Sequence, residues 1–576
     1  MNTAVFVLVL SPLLIYLVAA FLERRRELAP SEFFLAAGQV SSFEFANSSI
    51  GYGFQIASVS MFLAWGYLYG FAALVNPLFW GIGIALFGCF LPRMVQYLGS
   101  GKTLHGYLGQ QYTSRGLEVV ASIVTLIGFL GTFVAELAWG SAVFQLFSPK
   151  PILVGAILTG VAIVITVYLV RAGQLSAMRT DQVQLVFTYA GFLSLAVVLA
   201  WAAANRGVIA RANSFFLSGT LALCLAAMAI MMWRQMRFEQ LHAGNEGFSV
   251  TRFVRPLLVA MVTIALLALV VNLLVAWPST TELRTAVSAP CFFSLSQGPL
   301  NLLSLAILPL LWQFVDVTMW QRLASVQMPR NDAPSLSPRE QLKPIRLGLQ
   351  RFALESPVTW LFAVVIGMLL HHAPIGVGEE SIWNAIGAIP VALRGAGGQL
   401  REPIGLVLSI VFGAAIVAAM LSTADSMLMG ALAVFSLDLA RPAKRLSDTA
   451  AACRQVVRIG RLGIVGFMML GLGIIWLQLL TSTQVLPILL GAYSAQISLS
   501  PCVLGTLLLP PRSVSASWAI ASVSAGVTGG GYATIVALTN PDWQLYAPLF
   551  ALGASVPVYF AGVIISRVLS SRSAAI

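Results

Sequence analysis

The feature that most constrains this chain is a run of about twenty apolar residues that recurs, with polar and mostly basic punctuation, along its whole length. A helix of ~20 apolar residues spans a bilayer core. In lipid every backbone polar group must be satisfied by the segment or its neighbours, which leaves bundled helices and closed barrels. Barrel strands alternate apolar and polar residues, and these runs do not, so the expected fold class is an all-α polytopic membrane protein. Composition points the same way. Only 9% of the residues are charged and 58% are hydrophobic, against ~25% charged in soluble domains.

Fifteen spans are expected, at 3–22, 44–70, 73–97, 117–147, 151–170, 181–203, 213–233, 256–277, 292–320, 354–371, 404–437, 461–481, 484–509, 515–538 and 545–566. An odd number puts the termini on opposite sides. With the N-terminus outside and the C-terminus cytoplasmic, 27 of the 33 Lys and Arg fall in inner loops or at inner span ends, as the positive-inside bias requires. The net charge of +12 is therefore read as topology in a bacterial-type inner membrane rather than as a footprint for nucleic acid. The first run, Val5–Phe21, carries Arg24, Arg25 and Arg26 after it, the reverse of a cleaved signal peptide.

Other classes are excluded by what is missing. The five cysteines form no CxxC pair and read as packing residues, neither disulfide nor zinc ligands. The longest stretches between spans, 321–353 and 372–403, are about 30 residues each, short for a folded domain. No GxxxxGK[ST] loop, HExxH or GxSxG is present, so the chain is expected to be neither an ATP-driven pump nor an enzyme and to need no organic cofactor. Any uphill work must draw on an ion gradient or on the substrate's own.

Polar residues inside the spans are then informative. Ser48–Gln55 places Gly51, Gly53 and several polar side chains at mid-depth, which reads either as a broken helix facing a cavity or as a small-residue helix contact. Glu136, Asp316 and Asp425 lie inside apolar runs, with Asp181 at the inner mouth of another. A carboxylate at a helix centre costs ~2.5–3.5 kcal/mol, and Arg322 is the one cation at comparable depth. A bound cation, a proton or a cationic substrate is the expected partner; the plain alternative is a protonated or hydrogen-bonded structural carboxyl. Asp316, six residues before Arg322, reads as part of a structural polar network with it. The four histidines lie near loops and are expected to be solvated, with no mid-membrane relay.

Three strings carry a family resemblance: 172–184 (AGQLSAMRTDQVQ), 316–324 (DVTMWQRLA) and 419–426 (AMLSTADS). They are similar to the GGLxAVxxTDxxQ, DQxxxQR and AxxS[ST]xxS stretches of the sodium:solute symporter family, in that order and at matching depth. Phe33-Phe34-Leu35-Ala36, Thr103-Leu104, Tyr107-Leu108 and Tyr112 extend the resemblance, which covers roughly residues 30–205 and 290–510. It implies a LeuT-type fold of two inverted five-helix repeats. Residues 1–43 form a leading helix and inner loop, 44–205 the first repeat, 206–290 an inserted helical pair, 291–510 the second repeat, and 511–576 two trailing helices and an inner tail. The inserted pair reads as an oligomer contact or lipid-facing cover; the oligomeric state is not legible.

The same resemblance implies sodium-coupled symport of a small organic solute. It places the ion among the carbonyls of Gly51, Phe54 and Ala419 and the hydroxyls of Ser422 and Thr423, with Asp181 as its exit station. Two departures stand out: Gly53 replaces a carboxylate found in some members, and Ala37-Gly38-Gln39 lacks the usual Arg. In such a fold the solute sits at mid-membrane between broken helices, which selects Gln55, Ser58, Glu136, Trp312 and Gln313, with Gln496 beside them. Gln321, Arg322, Asp316 and Asp425 complete the intramembrane polar set. Glu136 facing a pocket would favour an amine or quaternary cation, with Trp312 closing over it; a Glu bonded to Ser141 or a tyrosine is the alternative. A proton-coupled variant and a non-transporting sensor on the same scaffold are the competing functions.

Overall fold

The computed structural model describes residues 29–98, 103–146, 150–205, 208–242, 251–287, 298–326, 342–372, 402–440, 450–481, 486–510, 513–540 and 545–574, together with 10–14, 18, 386, 389 and 543. Among them the chain is helical, and the only strand-like pairing is an isolated bridge between Val40 and Val326. The helices run in the order α1 (Pro30–Leu35), α2 (Ser42–Gly53), α3 (Ile56–Tyr69), α4 (Val75–Cys89), α5 (Leu91–Leu98), α6 (Leu104–Gln111), α7 (Arg115–Ser141), α8 (Pro151–Arg171) and α9 (Gly173–Ala204). There follow α10 (Val208–His242), α11 (Thr251–Val275), α12 (Thr280–Val287), α13 (Gly298–Val315), α14 (Val317–Ser325) and α15 (Lys343–His372). The last are α16 (Glu402–Ala433), α17 (Ala450–Thr481), α18 (Leu486–Ile497), α19 (Ser500–Leu508), α20 (Ala516–Thr539) and α21 (Ala547–Ala574).

Among the described residues twelve helices are long and apolar enough to cross a membrane, or thirteen spans with the α13–α14 pair, bent by 46°, taken as one. The halves α2 and α3, each too short alone, follow one another across Phe54 and Gln55. Each expected span from residue 44 onward falls on one of these helices or pairs, whereas 3–22 lies largely outside the described residues. Helix α15 starts eleven residues before the expected span at 354 because Arg351 and Glu355, which interrupt the apolar run, are buried as an ion pair (2.6 Å).

Breaks fall where the sequence weakens the helix. Phe54 (φ −81°, ψ 42°) and Gln55 (φ −55°, ψ 124°) leave the helical region, so Ser48–Gln55 is a break and not merely a small-residue contact. Asp316 (φ −75°, ψ 101°) separates α13 from α14 and caps the latter, accepting from the Thr318 N–H at 2.9 Å. Gly173 joins α8 to α9 at φ 68°, where a Cβ would lie 2.5 Å from the Phe33 carbonyl oxygen. Only glycine meets both demands.

Close approach of backbones holds the centre together. A Cβ on Gly66 of α3 would sit 2.1 Å from the Val364 oxygen of α15, and one on Gly367 of α15 would sit 2.1 Å from the Leu63 oxygen. The two helices thus cross in direct contact through small residues, the mode of packing available where lipid removes the hydrophobic drive. Helix α9 lies along α16 in the same way, with Gly191 against Ala415.

The inserted pair is more than cover. Its outer face is exposed, as at Leu223 and Ile264, but α10 packs on α2, α9 and α15. Gln235 donates to Ser42 Oγ (2.8 Å) and accepts from Arg351 Nη1 (3.1 Å). The expected lipid-facing role therefore describes one face only, and the other face is bonded into the bundle.

Candidate functional site

The break in α2–α3 organises the site. Glycines at 51 and 53 weaken the last turn of α2; the Gly51 carbonyl accepts the Phe54 N–H (3.1 Å), while those of Tyr52 and Gly53 accept from other helices. Trp360 Nε1 donates to the Gly53 carbonyl (2.7 Å), and Thr423 Oγ1 to that of Tyr52 (3.5 Å). A Cβ on Gly51 would meet Ser422 Oγ at 3.2 Å and the Asp181 carbonyl oxygen at 3.4 Å. The structure therefore brings Gly51, Ser422, Thr423 and Asp181 together, with Phe54 buried at the end of the turn and Ala419 buried one turn before Ser422. Neither hydroxyl faces lipid: Ser422 and Thr423 are 1% and 0% exposed.

Around this contact runs a buried chain of charge. Asp181 accepts from Ser48 Oγ (2.5 Å) and from Ser422 Oγ, so it touches the hydroxyl directly. Arg322 Nη2 lies 3.6 Å from Asp181. The guanidinium also donates to Ser48 Oγ (3.1 Å) and Ser426 Oγ (2.6 Å), and stacks 4.5 Å over the Tyr52 ring. Ser426 passes the link to Asp425 (3.2 Å), which also accepts from Tyr168. Asp316 and Arg322 share the expected polar network through Thr318, whose carbonyl accepts from Arg322 Nη1 (3.5 Å), with no direct ion pair between them. Asp316 caps α14 and accepts from Thr318 Oγ1 (2.6 Å), because a broken helix exposes N–H groups right beside it. Gln321 is buried with both amide atoms unpartnered.

A small cavity of about 30 Å³ lies at the start of α3, between α4, α13, α15 and α18. Of the expected solute contacts, Gln55, Ser58 and Trp312 line it, whereas Glu136, Gln313 and Gln496 do not. Gln313 is buried, and Gln496 packs against Gly128. Glu136 is the main correction. Its carboxylate accepts the Ile56 N–H (2.8 Å) and the Ala57 N–H (3.1 Å), the first two of α3. A new helix start inside the membrane has unsatisfied donors and a positive dipole end, and Glu136 supplies both acceptors. Ser141 instead bonds back to the Ala138 carbonyl (2.6 Å).

Sequence reasoning missed Tyr493, Trp80, Trp360 and Asn76, which complete the cavity; nothing local marks them. A Cβ on Gly53 would lie 2.8 Å from Ser356 Oγ, so a side chain there would have to displace that hydroxyl. His105 also departs from expectation. It is fully buried, 2.8 Å from Asp438 and 2.9 Å from Thr125, and Asp438 sits in a π-helical turn (Val434–Leu439) that ends α16. No group of three or more His, Cys, Asp or Glu that could hold a metal occurs among the described residues.

No family model matches the chain, and no curated protein matches it. Solved structures do. One is the substrate-bound outward-open state of a Na+-coupled sialic acid symporter, with a TM-score of 0.63 over 98% of this chain and 98% of that one at 14% identity. The chain shares the fold of that protein. It is LeuT-type, as the sequence resemblance implied, and all-α. At that identity the likeness is one of architecture and leaves residue roles to the geometry above.

Proposed function

We propose that the chain is a secondary active transporter that couples entry of sodium to uptake of a small polar organic solute by alternating access. The observation that carries this reading is the meeting of an interrupted helix with two buried hydroxyls, Ser422 and Thr423, in a fold shared with a Na+-coupled symporter. Sodium is a hard cation suited to neutral oxygens. Carbonyls of Gly51, Phe54 and Ala419 with the hydroxyls of Ser422 and Thr423 form the proposed donor set. A hydroxyl that donates its proton, as Ser422 does to Asp181, keeps its lone pairs for an ion.

Residues 44–205 and 291–510 act as the two inverted repeats, the N-terminus outside and the C-terminus cytoplasmic. The ion enters from outside and favours the outward-open arrangement, the solute joins at the neighbouring cavity, and both leave inward past Asp181. Only unequal affinity for the two states moves such an equilibrium. One charge moving through −100 mV contributes ~2.3 kcal/mol. Vesicles containing the purified protein should accumulate the solute when sodium is outside and lose accumulation when potassium replaces it at fixed pH. Accumulation that follows a pH gradient without sodium overturns sodium coupling in favour of protons, and binding without flux overturns transport in favour of a sensor.

A further inference from the structure

The inserted pair carries a patch of charge that has no part in the transport cycle proposed above. Along α10 the outward side chains are apolar and exposed, as at Leu223 (76%), Ile230 (58%) and Trp233 (52%), and they turn basic at the next position, with Arg234 and Arg237 both exposed. An apolar face that ends in Trp and then Arg is what a helix shows where it leaves hydrocarbon for the headgroups. Helix α15 starts beside this point, with Lys343 Nζ 5.2 Å over the Phe238 ring of α10. Arg346, partly exposed, follows about one turn later. Four cations from two helices thus gather at one end of the bundle, on the face proposed as cytoplasmic.

None of the four has a carboxylate partner among the described residues. The described acids of the adjoining helix turns are engaged elsewhere: Glu355 holds Arg351 (2.6 Å), and Glu44 accepts the Ser41 N–H (3.0 Å). Lys343 and Arg346 also stand in the first turn of α15, which contains no acid, and a cation there opposes the helix dipole. Such an arrangement is unfavourable unless an anion lies against it. Aromatic rings set its depth, since Arg237 stacks 4.6 Å over Trp233 and Lys343 lies over Phe238.

We infer that the edge between α10 and α15 binds the phosphate of an anionic phospholipid, held by Arg234 and Arg237 on one helix and by Lys343 and Arg346 on the other. The acyl chains then lie along the exposed apolar face of α10. A lipid fits better than a soluble anion, because the apolar and basic surfaces are continuous at Trp233. A second copy docking through the same face would bring like charge. The site also has a structural consequence. Gln235, next to Arg234, bonds Ser42 of α2 and Arg351 of α15, and Ser42 donates to the Pro344 carbonyl (2.8 Å). A lipid that draws α10 and α15 together therefore tightens their hold on the first turn of α2, the half-helix that precedes the break.

The test uses the full-length protein in a neutral detergent and reads apparent melting temperature with added phosphatidylglycerol, phosphatidylcholine or inorganic phosphate. Phosphatidylglycerol should raise it by several degrees in a concentration-dependent way. The shift should shrink as salt rises from ~0.1 M to ~1 M, where the screening length falls from about 10 Å to about 3 Å. Phosphatidylcholine and inorganic phosphate should leave it unchanged. Arg234→Gln combined with Lys343→Gln should lose most of the shift. Arg454→Gln combined with Arg458→Gln, which removes two exposed cations from α17, should keep it and controls for general positive charge. Melting without lipid checks that each variant folds, and Arg237→Gln with Arg346→Gln replaces the first pair if it does not. No shift with phosphatidylglycerol, an equal shift with phosphatidylcholine or phosphate, or the same response in both pairs of variants overturns the inference.

Discussion

Replacing Arg322 by glutamine tests the electrostatics of the ion path most directly. Its guanidinium lies 3.6 Å from Asp181 with both side chains at most 1% exposed. At an effective dielectric constant of about 20 that contact is worth ~4–5 kcal/mol of Coulomb energy. Loss of one partner of a buried pair costs about 3–5 kcal/mol, because the remaining charge is stranded. Arg322→Gln should therefore destabilise the protein by about 3 kcal/mol or more, read by denaturation in mixed micelles. Asp181→Asn in the same chain should restore much of the loss, since it removes the stranded charge. The coupling should be well above the ~0.5 kcal/mol limit of additivity. Sodium should also protect Arg322→Gln more than wild type, because an unneutralised Asp181, bonded to Ser422, then attracts the ion more strongly. Additive losses in the double variant, with equal sodium protection throughout, would refute the reasoning.

Three further outcomes are expected. Thr423→Ala should reduce sodium stimulation of flux more than it reduces folded protein in the membrane, and an unaltered sodium response counts against the site. Gln235→Leu strips Ser42 of its donor and Arg351 of an acceptor, so thermal stability should fall by about 1.5–3 kcal/mol, the range for hydrogen bonds to charged groups; no loss would mean that the inserted pair is only cover. Gly66→Ala forces a methyl group to within 2.1 Å of the Val364 oxygen and should destabilise by at least ~1–3 kcal/mol as α3 and α15 separate, whereas Gly466→Ala, with nothing within 4 Å, should be neutral.

Several features were legible because they depend on residues close in sequence. The Ser48–Gln55 break was signalled by two glycines among polar side chains, and the hydroxyls of Ser422 and Thr423 by their string on one helix. The start of α15 was placed late because Arg351 breaks the apolar run ahead of 354; its neutralisation by Glu355 inside the bundle cannot be seen from hydropathy. His105 was misread for the same reason. Its partner Asp438 is more than three hundred residues away, and proximity to a loop in sequence is no measure of exposure.

The amino-acid order by itself determined that the chain is a bundle of membrane helices with oxygen-rich interruptions, because lipid forbids unsatisfied backbone and the length of an apolar run fixes a span. Tertiary structure alone decided what each buried carboxylate does. Glu136 closes a helix end, Asp316 caps α14, and Asp181 shares Arg322 and Ser422. An intramembrane charge demands a partner, and for Glu136 and Asp181 helix packing chooses donors from distant segments, whereas Asp316 finds its own two residues on, at Thr318.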